Sequence, residues 1–444
     1  MAAAPPRRHL GARDREILRL AVPAFGALVA EPLFLLSDSA IVGRLGTAPL
    51  GGLGVAGQIL STLVYLCVFL AYGTTAGVAR RVGAGDLRAA VRQGVDGIWL
   101  ALAIGAVVVA AGLPLVPRLV ELFGASADVA PHAAAYLRVS LFGVPAMLVV
   151  LAGTGVLRGL QDTRTPLLVS IGGFSANLAL NALFVLGLHW GIAGSAWGTV
   201  VAQNASAAVY VAVVARAARR HGASVRPDAA GLRTAATAGV ALLLRTAALR
   251  VVLVVGTSVA ARMGDPQLAA YQVGFQVWTL LTFALDAIAI AGQAITGRCL
   301  GAADAAGARA ATRRMAAWGV GCGIAFALLV LAARPLLPGL FSADADVRHL
   351  LFSSLLVVAL LQPVAGVVFV LDGILIGAGD GTYLAWTTVL ATAVFLPAAL
   401  LVHSSGAGLV GLWTAIGLWM TTRLVTLGAR ARGGAWLVTG AVRD

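Results

Sequence analysis

Residues 17–46 read ILRLAVPAFGALVAEPLFLLSDSAIVGRLG. The part from Leu20 to Val42 is apolar and long enough to cross a lipid bilayer as a helix, which takes roughly 20 residues. It nevertheless contains two carboxylates, Glu31 and Asp38. A helix places two residues with this spacing on one face. Acids inside a spanning helix usually face a polar cavity or a partner, so both are candidates for a functional cavity. The alternative is that helix-packing hydrogen bonds neutralise both.

Two prolines, Pro23 and Pro32, lie in the same stretch. Proline removes a backbone donor and kinks a helix interior. We therefore expect a kinked first helix that aims its acids at a central cavity.

The composition identifies an integral membrane protein with almost no soluble portion. Of the 444 residues, 60% are hydrophobic and 11% are charged, whereas globular domains carry about 25% charged residues. The net charge of +14 raises the question of nucleic-acid binding, but the basic residues, all arginines, lie in short clusters between apolar stretches. That distribution is typical of a membrane protein and argues against a nucleic-acid partner. The three cysteines indicate no disulfide framework.

We predict twelve transmembrane spans and an all-α membrane protein, in which the lipid bilayer surrounds the chain. The predicted spans are 17–42, 50–78, 95–117, 133–157, 167–188, 192–215, 238–260, 268–296, 316–334, 348–376, 382–402 and 407–428. These ranges divide the chain into an N-terminal lobe (1–215), a linker (216–237) and a C-terminal lobe (238–444).

The arginines predict the orientation of the spans. The two termini and the even-to-odd connections contain 24 arginines, whereas the opposite connections contain 6. Since cytoplasmic segments are enriched in Arg, both termini are expected in the cytoplasm of a multi-pass inner-membrane protein. Met1–Arg19 has no cleavable signal pattern, so the first span is expected to direct insertion.

The chain repeats itself at one offset. Arg44-Leu45-Gly46 matches Arg262-Met263-Gly264, and 262 − 44 = 218. The same offset relates the members of further pairs: Gln58 and Gln276, Gly83 and Gly301, Asp86 and Asp304, Gly155 and Gly373, Gly159 and Gly377, and Asp162 and Asp380. A repeat of six spans gives two parallel halves, an arrangement that transporters use for alternating access around a central cleft. A duplication without transport is the alternative.

The matched glycine and aspartate residues fall at predicted connections, where glycine makes the turn and aspartate caps the next helix. They resemble phosphate-binding loops only loosely. The chain has no lysine and hence no Walker pattern, so ATP-driven transport by this chain alone is not expected. Nothing in the sequence calls for a cofactor or a metal ion.

The first half supplies the candidate ion-coupling residues. Asp38 corresponds to Gly256 of the second half, so its carboxylate is particular to the first lobe. Asn177 and Asn181 lie four residues apart in the fifth span, and Thr199 lies in the sixth. Such amides and hydroxyls are natural partners for a carboxylate on a neighbouring helix, although they also join helices in purely structural roles.

Further polar residues are candidates for the cavity. Gln203 follows Thr199 by four residues in the sixth span, and Gln58 and Gln276 lie in the second and eighth. In the second half, Arg245 is placed to neutralise either Asp286 or Asp372, as a structural ion pair or as part of a substrate site. Gln293 and Gln362 also lie within spans of this half.

The chain resembles the multidrug and toxic compound extrusion (MATE) transporters, in their DinF-like branch. The resemblance covers residues 15–430 and is carried by three blocks: SDSAIVGRLG at 37–46, DAIAIAGQ at 286–293 and LDGILIGAGD at 371–380. It implies two six-helix lobes around a central cleft, and export of organic, often cationic, compounds in exchange for protons or sodium ions. It also implies that the first-helix acid is Asp38. Several relatives have an aspartate where this chain has Asn181, which removes one carboxylate.

We therefore expect a secondary active antiporter, not an enzyme, that exports cationic or amphiphilic drugs or metabolites as a monomer. Burial of Asp38 in an apolar run disfavours its charged form, which favours protons over sodium as the coupling ion. The alternative is a flippase of lipid-linked precursors, or a membrane enzyme acting on phosphate-bearing lipids. A flippase should have several arginines along its cleft, and the sequence places only Arg245 and Arg250 within a span.

Overall fold

The computed structural model describes residues 11–442, apart from the side chains of Glu31 and His403. The described chain contains fifteen α-helices and no strand. Their bounds are α1 Ala12–Val42, α2 Thr47–Leu66, α3 Phe69–Gly83, α4 Leu87–Leu122, α5 Ala130–Leu141, α6 Val144–Gly159, α7 Arg164–Asn181, α8 Gly191–Arg220, α9 Ala229–Met263, α10 Asp265–Gly301, α11 Ala305–Ala333, α12 Leu337–Phe341, α13 Ala345–Gly377, α14 Gly381–Ser405 and α15 Gly408–Arg432.

These helices account for the predicted spans. In the described residues, eleven helical segments are long and apolar enough to cross a membrane, and α5 and α6 add a twelfth if this pair, bent by 53°, is one span. The prediction of twelve spans in two repeats is confirmed. Most helices continue past the predicted edges; α10, for example, covers Asp265–Gly301 instead of 268–296. Charged residues in these extensions make the sequence less apolar without ending the helix.

The predicted linker 216–237 is mostly helical. Helix α8 continues to Arg220 and α9 begins at Ala229, so the connection spans only 221–228. Two side chains of α4 hold this connection: Arg92 donates to the Ser224 carbonyl (3.0 Å) and Trp99 to the Val225 carbonyl (2.9 Å).

The two halves repeat each other in backbone conformation as well as in sequence. Gly46 and Gly264 have φ values of 118° and 122°, in the region that favours glycine. Asp86 and Asp304 cap α4 and α11 in the same way, each accepting from the backbone N–H three residues later. The predicted capping role of these two aspartates is therefore seen in the structure.

Four of the matched glycines do not form turns, contrary to the expectation from sequence. Gly155 and Gly159 lie inside α6, and Gly373 and Gly377 lie inside α13. A methyl group on these glycines would overlap the backbone of the neighbouring helix, α3 or α10. They allow two helices in each lobe to approach closely, which is a common use of small residues in membranes. The turns themselves lie further on, at Gln161 and Gly379.

The lobes meet at the end of the bundle that carries the connections α3–α4, α6–α7, α8–α9 and α10–α11, here called the arginine-rich end. Arg80 of α3 donates to the carbonyls of Ala378 (2.7 Å), Val438 (2.9 Å) and Gly440 (3.0 Å). Its repeat counterpart Arg298 (80 + 218) donates to Gln161 Oε1 at 2.7 Å and pairs with Glu16. The lobes are therefore tied together at this end by a pair of equivalent arginines.

Candidate functional site

Asp38 lies in the last turn of α1 and is the centre of a buried polar cluster in the first lobe. The residue is 2% exposed. Its Oδ1 accepts from Ser195 Oγ at 2.5 Å and from Asn181 Nδ2 at 2.7 Å, and its Oδ2 accepts from Tyr136 OH at 3.2 Å. Three uncharged donors thus hold the carboxylate, and no salt bridge joins it to a basic side chain in the described chain.

The cluster continues along α7 and α8. Asn181 Nδ2 also donates to Asn177 Oδ1 at 3.2 Å, and Asn177 Nδ2 donates to Thr199 Oγ1 at 3.0 Å. Both asparagines are fully buried. A π-helical turn, Ala182–Gly187, follows Asn181 directly, and such turns often occur at functional sites.

One glycine makes room for this arrangement. Gly198 lies on α8 directly against Asn181, and a Cβ at that position would overlap the Asn181 Oδ1 atom. The same oxygen is buried and accepts no hydrogen bond from the described residues. Asn181 therefore donates to Asp38 and Asn177 while its acceptor is unused.

The structure brings together the four residues predicted for ion coupling, Asp38, Asn177, Asn181 and Thr199. Ser195 and Tyr136 join them and were not predicted from sequence. Ser195 precedes Thr199 by one helical turn on α8, so the 3.6-residue period could have indicated it. Tyr136 comes from α5, a helix with no sequence signal linking it to α1.

In the second lobe, Arg245 pairs with Asp372 and not with Asp286. Arg423 of α15, which the sequence analysis did not single out, also reaches Asp372, with Nη2 3.1 Å from Oδ1. All three residues are at most 8% exposed. Asp372 is therefore shared by two buried guanidinium groups.

Asp286 belongs to a wider group of charges where the lobes face each other. It interacts electrostatically with Arg245, Arg158 and Arg423. Arg250 lies near by, over the Tyr65 ring at 5.0 Å, and donates to Thr62 of the first lobe. We call this group the central charge cluster; its members are Arg158, Arg245, Arg250, Arg423, Asp286 and Asp372.

The central charge cluster contains more arginines than the two that were counted within spans from the sequence. Arg158 and Arg423 were counted with the cytoplasmic segments, but they lie inside α6 and α15 and are 9% and 5% exposed. Four arginines of the cluster, not two, therefore lie inside helices of the two lobes. The number of arginines within the helices therefore no longer distinguishes a drug exporter from a lipid flippase.

The remaining predicted cavity residues are dispersed. Gln58 and Gln276 are exposed at equivalent positions of α2 and α10, and Gln203 is half-buried in α8. Glu31 is part of α1, but its side chain lies outside the described residues. Gln293 and Gln362 are buried in the second lobe, each with an amide oxygen that accepts no hydrogen bond from the described residues. In the part of the chain that the structure describes, no group of three or more His, Cys, Asp or Glu is arranged to hold a metal ion.

Two parallel repeats of membrane-spanning helices are an arrangement typical of transporters, and comparison with known proteins gives the family. The MatE family model matches residues 23–183 and 241–401, two segments separated by the repeat offset (241 − 23 = 218). The chain belongs to this family. It is a multi-pass membrane transporter and not an enzyme.

Individual relatives agree with this assignment. The chain is 30% identical to Protein DETOXIFICATION 45, chloroplastic, of Arabidopsis thaliana, over 95% of this chain and 79% of the relative. It is 28% identical to DNA damage-inducible protein F of Escherichia coli, over 96% and 95% of the two chains.

Solved structures show the same fold. A MOP superfamily transporter from Pyrococcus furiosus, described as having a binding pocket of reverse polarity, superposes with a TM-score of 0.86 at 21% identity, over 95% of this chain and 96% of the other. The Vibrio cholerae MATE transporter VcmN in its bent form gives a TM-score of 0.85 at 22% identity, over 95% and 98%.

Proposed function

We propose that this protein is a proton-coupled antiporter that exports amphiphilic organic compounds, with Asp38 as the proton-carrying residue. The observation that carries the proposal is the environment of Asp38, a carboxylate that is 2% exposed and held only by the uncharged donors Ser195, Asn181 and Tyr136. Without a basic partner, the charge on this carboxylate is balanced by hydrogen bonds alone, and a proton can neutralise it without leaving an unpaired cation.

Protonation would require the network to rearrange. The carboxylate accepts three hydrogen bonds, whereas a carboxylic acid must donate one. Asn181 offers the unused acceptor, because its Oδ1 is buried without a donor. We infer that protonation of Asp38 is followed by rotation of the Asn181 amide. This rotation changes the contact between α1 and α7, and so links protonation to helix movement. Pro23 and Pro32 in α1 are sites at which that helix can bend.

The same geometry favours the proton over sodium. A sodium ion would need several oxygen ligands directed at one point. Asn181 presents its amide nitrogen to Asp38, and Asn177 presents its nitrogen to Thr199. In this arrangement each amide directs its nitrogen, and not an oxygen ligand, at the neighbouring oxygen atom.

The orientation and the transport cycle follow from the same proposal. We infer that the arginine-rich end faces the cytoplasm and that its contacts through Arg80 and Arg298 close that side, so that the cleft opens outward. A cationic compound would meet an excess of positive charge in the central charge cluster, so the expected cationic substrate is not part of this proposal.

The test uses purified protein in vesicles under either a pH gradient without sodium or a sodium gradient at fixed pH. Export of a panel of cationic, neutral and anionic dyes is measured for the wild type and for Asp38→Asn, which mimics the protonated acid. We expect the pH gradient to drive transport and Asp38→Asn to abolish it. Asp86→Asn is the matched control, because asparagine caps a helix as well as aspartate does. Full transport by Asp38→Asn, or transport driven only by sodium, would overturn the proposal.

A further inference from the structure

The central charge cluster carries an excess of positive charge, with four members buried and two, Arg250 and Asp286, half-buried. Four arginines and two aspartates give a net charge of 4 − 2 = +2. Arg245 and Arg423 share one carboxylate, so the pair is not balanced by Asp372 alone. Desolvated positive charge of this kind is unfavourable unless something neutralises it. The described side chains therefore leave positive charge in the cluster that an anionic ligand would balance.

Arg158 is the clearest sign of a missing partner. It is 91% buried, since 9% of it is exposed, yet it forms no salt bridge and no side-chain hydrogen bond with described residues. Its electrostatic neighbours are Tyr72 and Tyr210 of its own lobe and Asp286 of the other. A guanidinium group offers five donors in a planar fork that fits carboxylates and phosphates. The donors of Arg158 are therefore available to a ligand.

Aromatic rings surround these charges. Arg245 lies over the Tyr72 ring at 5.9 Å, Arg250 over Tyr65 at 5.0 Å, and Arg423 over Trp419 at 5.2 Å. Tyr65 is 38% exposed, so the first lobe contributes an accessible aromatic surface beside the arginines. Such a surface suits a ligand with an apolar, planar body attached to its charged group.

We propose that the central charge cluster binds the anionic group, a carboxylate or a phosphate, of an amphiphilic organic anion, and that this anion is the transported substrate. The proposal rests on the proposed function, because it names the substrate class of the same transporter. Arg158 binds the anionic group, Arg245 and Arg423 add positive potential while Asp372 holds them in place, and the tyrosines contact the apolar body. Asp286, which pairs with no arginine directly, reduces the affinity by repelling the anion.

Binding is measured without any ion gradient, so its outcome is independent of the coupling ion and of Asp38. The probes are fluorescein, an anionic dye, and rhodamine 6G, a cationic dye with a related ring system, each titrated into purified protein and followed by fluorescence polarisation. A third arm measures thermal stabilisation of the protein by phosphatidylglycerol and by phosphatidylcholine, which separates a lipid headgroup from a soluble anion.

Two variants should shift fluorescein affinity in opposite directions. We expect Arg158→Gln to weaken binding about tenfold or more and Asp286→Asn to strengthen it by a similar factor, since each removes one charge near the ligand. Arg158→Gln should leave stability nearly unchanged, because Arg158 forms no salt bridge with a described carboxylate. Arg334→Gln is the control. Arg334 lies over the Phe352 ring and is not part of the central charge cluster, so this variant should change neither fluorescein affinity nor thermal stability. A merely structural role for either residue would not produce opposite changes.

Tighter binding of fluorescein than of rhodamine 6G, with both variant effects, supports the proposal. Preference for rhodamine 6G, or fluorescein binding that is unchanged in Arg158→Gln, overturns it. Stabilisation by phosphatidylglycerol alone, with no fluorescein binding, overturns the soluble substrate in favour of a lipid. Fluorescein binding in a protein that fails to use a pH gradient would overturn the coupling mechanism while leaving the anion site supported.

Discussion

Asp372 holds two buried arginines, and this arrangement sets the order in which substitutions should destabilise the protein. Asp372→Asn leaves Arg245 and Arg423 without their shared carboxylate. Removing one partner of a buried ion pair costs about 3–5 kcal/mol. Arg245→Ala is milder, because Asp372 keeps its contact with Arg423. Its loss is then that of a charge-assisted hydrogen bond, about 1.5–3 kcal/mol. If Arg245 were the only partner of Asp372, both substitutions would break the whole ion pair, and both would carry the larger cost.

The assay compares apparent unfolding midpoints of the purified variants in one detergent at one heating rate, since membrane proteins often unfold irreversibly. Asp344→Asn is the control on the same helix: Asp344 caps α13 through the N–H groups of Asp346 and Val347, and asparagine is an equally good cap. We expect the midpoints to fall in the order wild type and control, Arg245→Ala, then Asp372→Asn. Equal losses for the last two would refute the sharing of Asp372 by two arginines.

Three further predictions concern other parts of the molecule. Gly198→Ala should displace Asn181, destabilise the protein by about 1–3 kcal/mol and abolish pH-driven transport. Gly172→Ala, where a Cβ meets open space, should leave stability and transport unchanged. Equal effects of the two substitutions would argue against the close fit of Gly198 to Asn181. A cysteine at Arg262 in a cysteine-free background should react with an impermeant thiol reagent added to intact cells; labelling only after lysis would reverse the orientation. Arg80→Ala removes the donors to the tail carbonyls, so trypsin should cleave the C-terminal tail faster, and an unchanged cleavage rate would contradict its role in holding the lobes together.

The membrane class, the span number and the repeat could be predicted from sequence because each depends on local or periodic information. Apolar length and arginine placement are read directly along the chain, and the offset between Arg44 and Arg262 is visible without coordinates. Asp38 could be selected for a similar reason: a carboxylate within an apolar run is expensive wherever the helix is placed.

The partners of these residues depended on how helices distant in sequence pack against each other. Arg158 follows the predicted span 133–157 directly and Arg423 lies near the end of 407–428, so both were counted with the cytoplasmic segments, yet both are buried inside helices. Tyr136 and Ser195 reach Asp38 from positions 98 and 157 residues away in the chain. Composition determines that a helix is buried in a membrane, but which of its faces meets another helix is decided by close packing at residues such as Gly198 and Gly373. For this protein, the sequence determined the two-lobed membrane architecture, whereas only the tertiary structure decided which charges share one site, since electrostatic interactions depend on distance in space and not on separation along the chain.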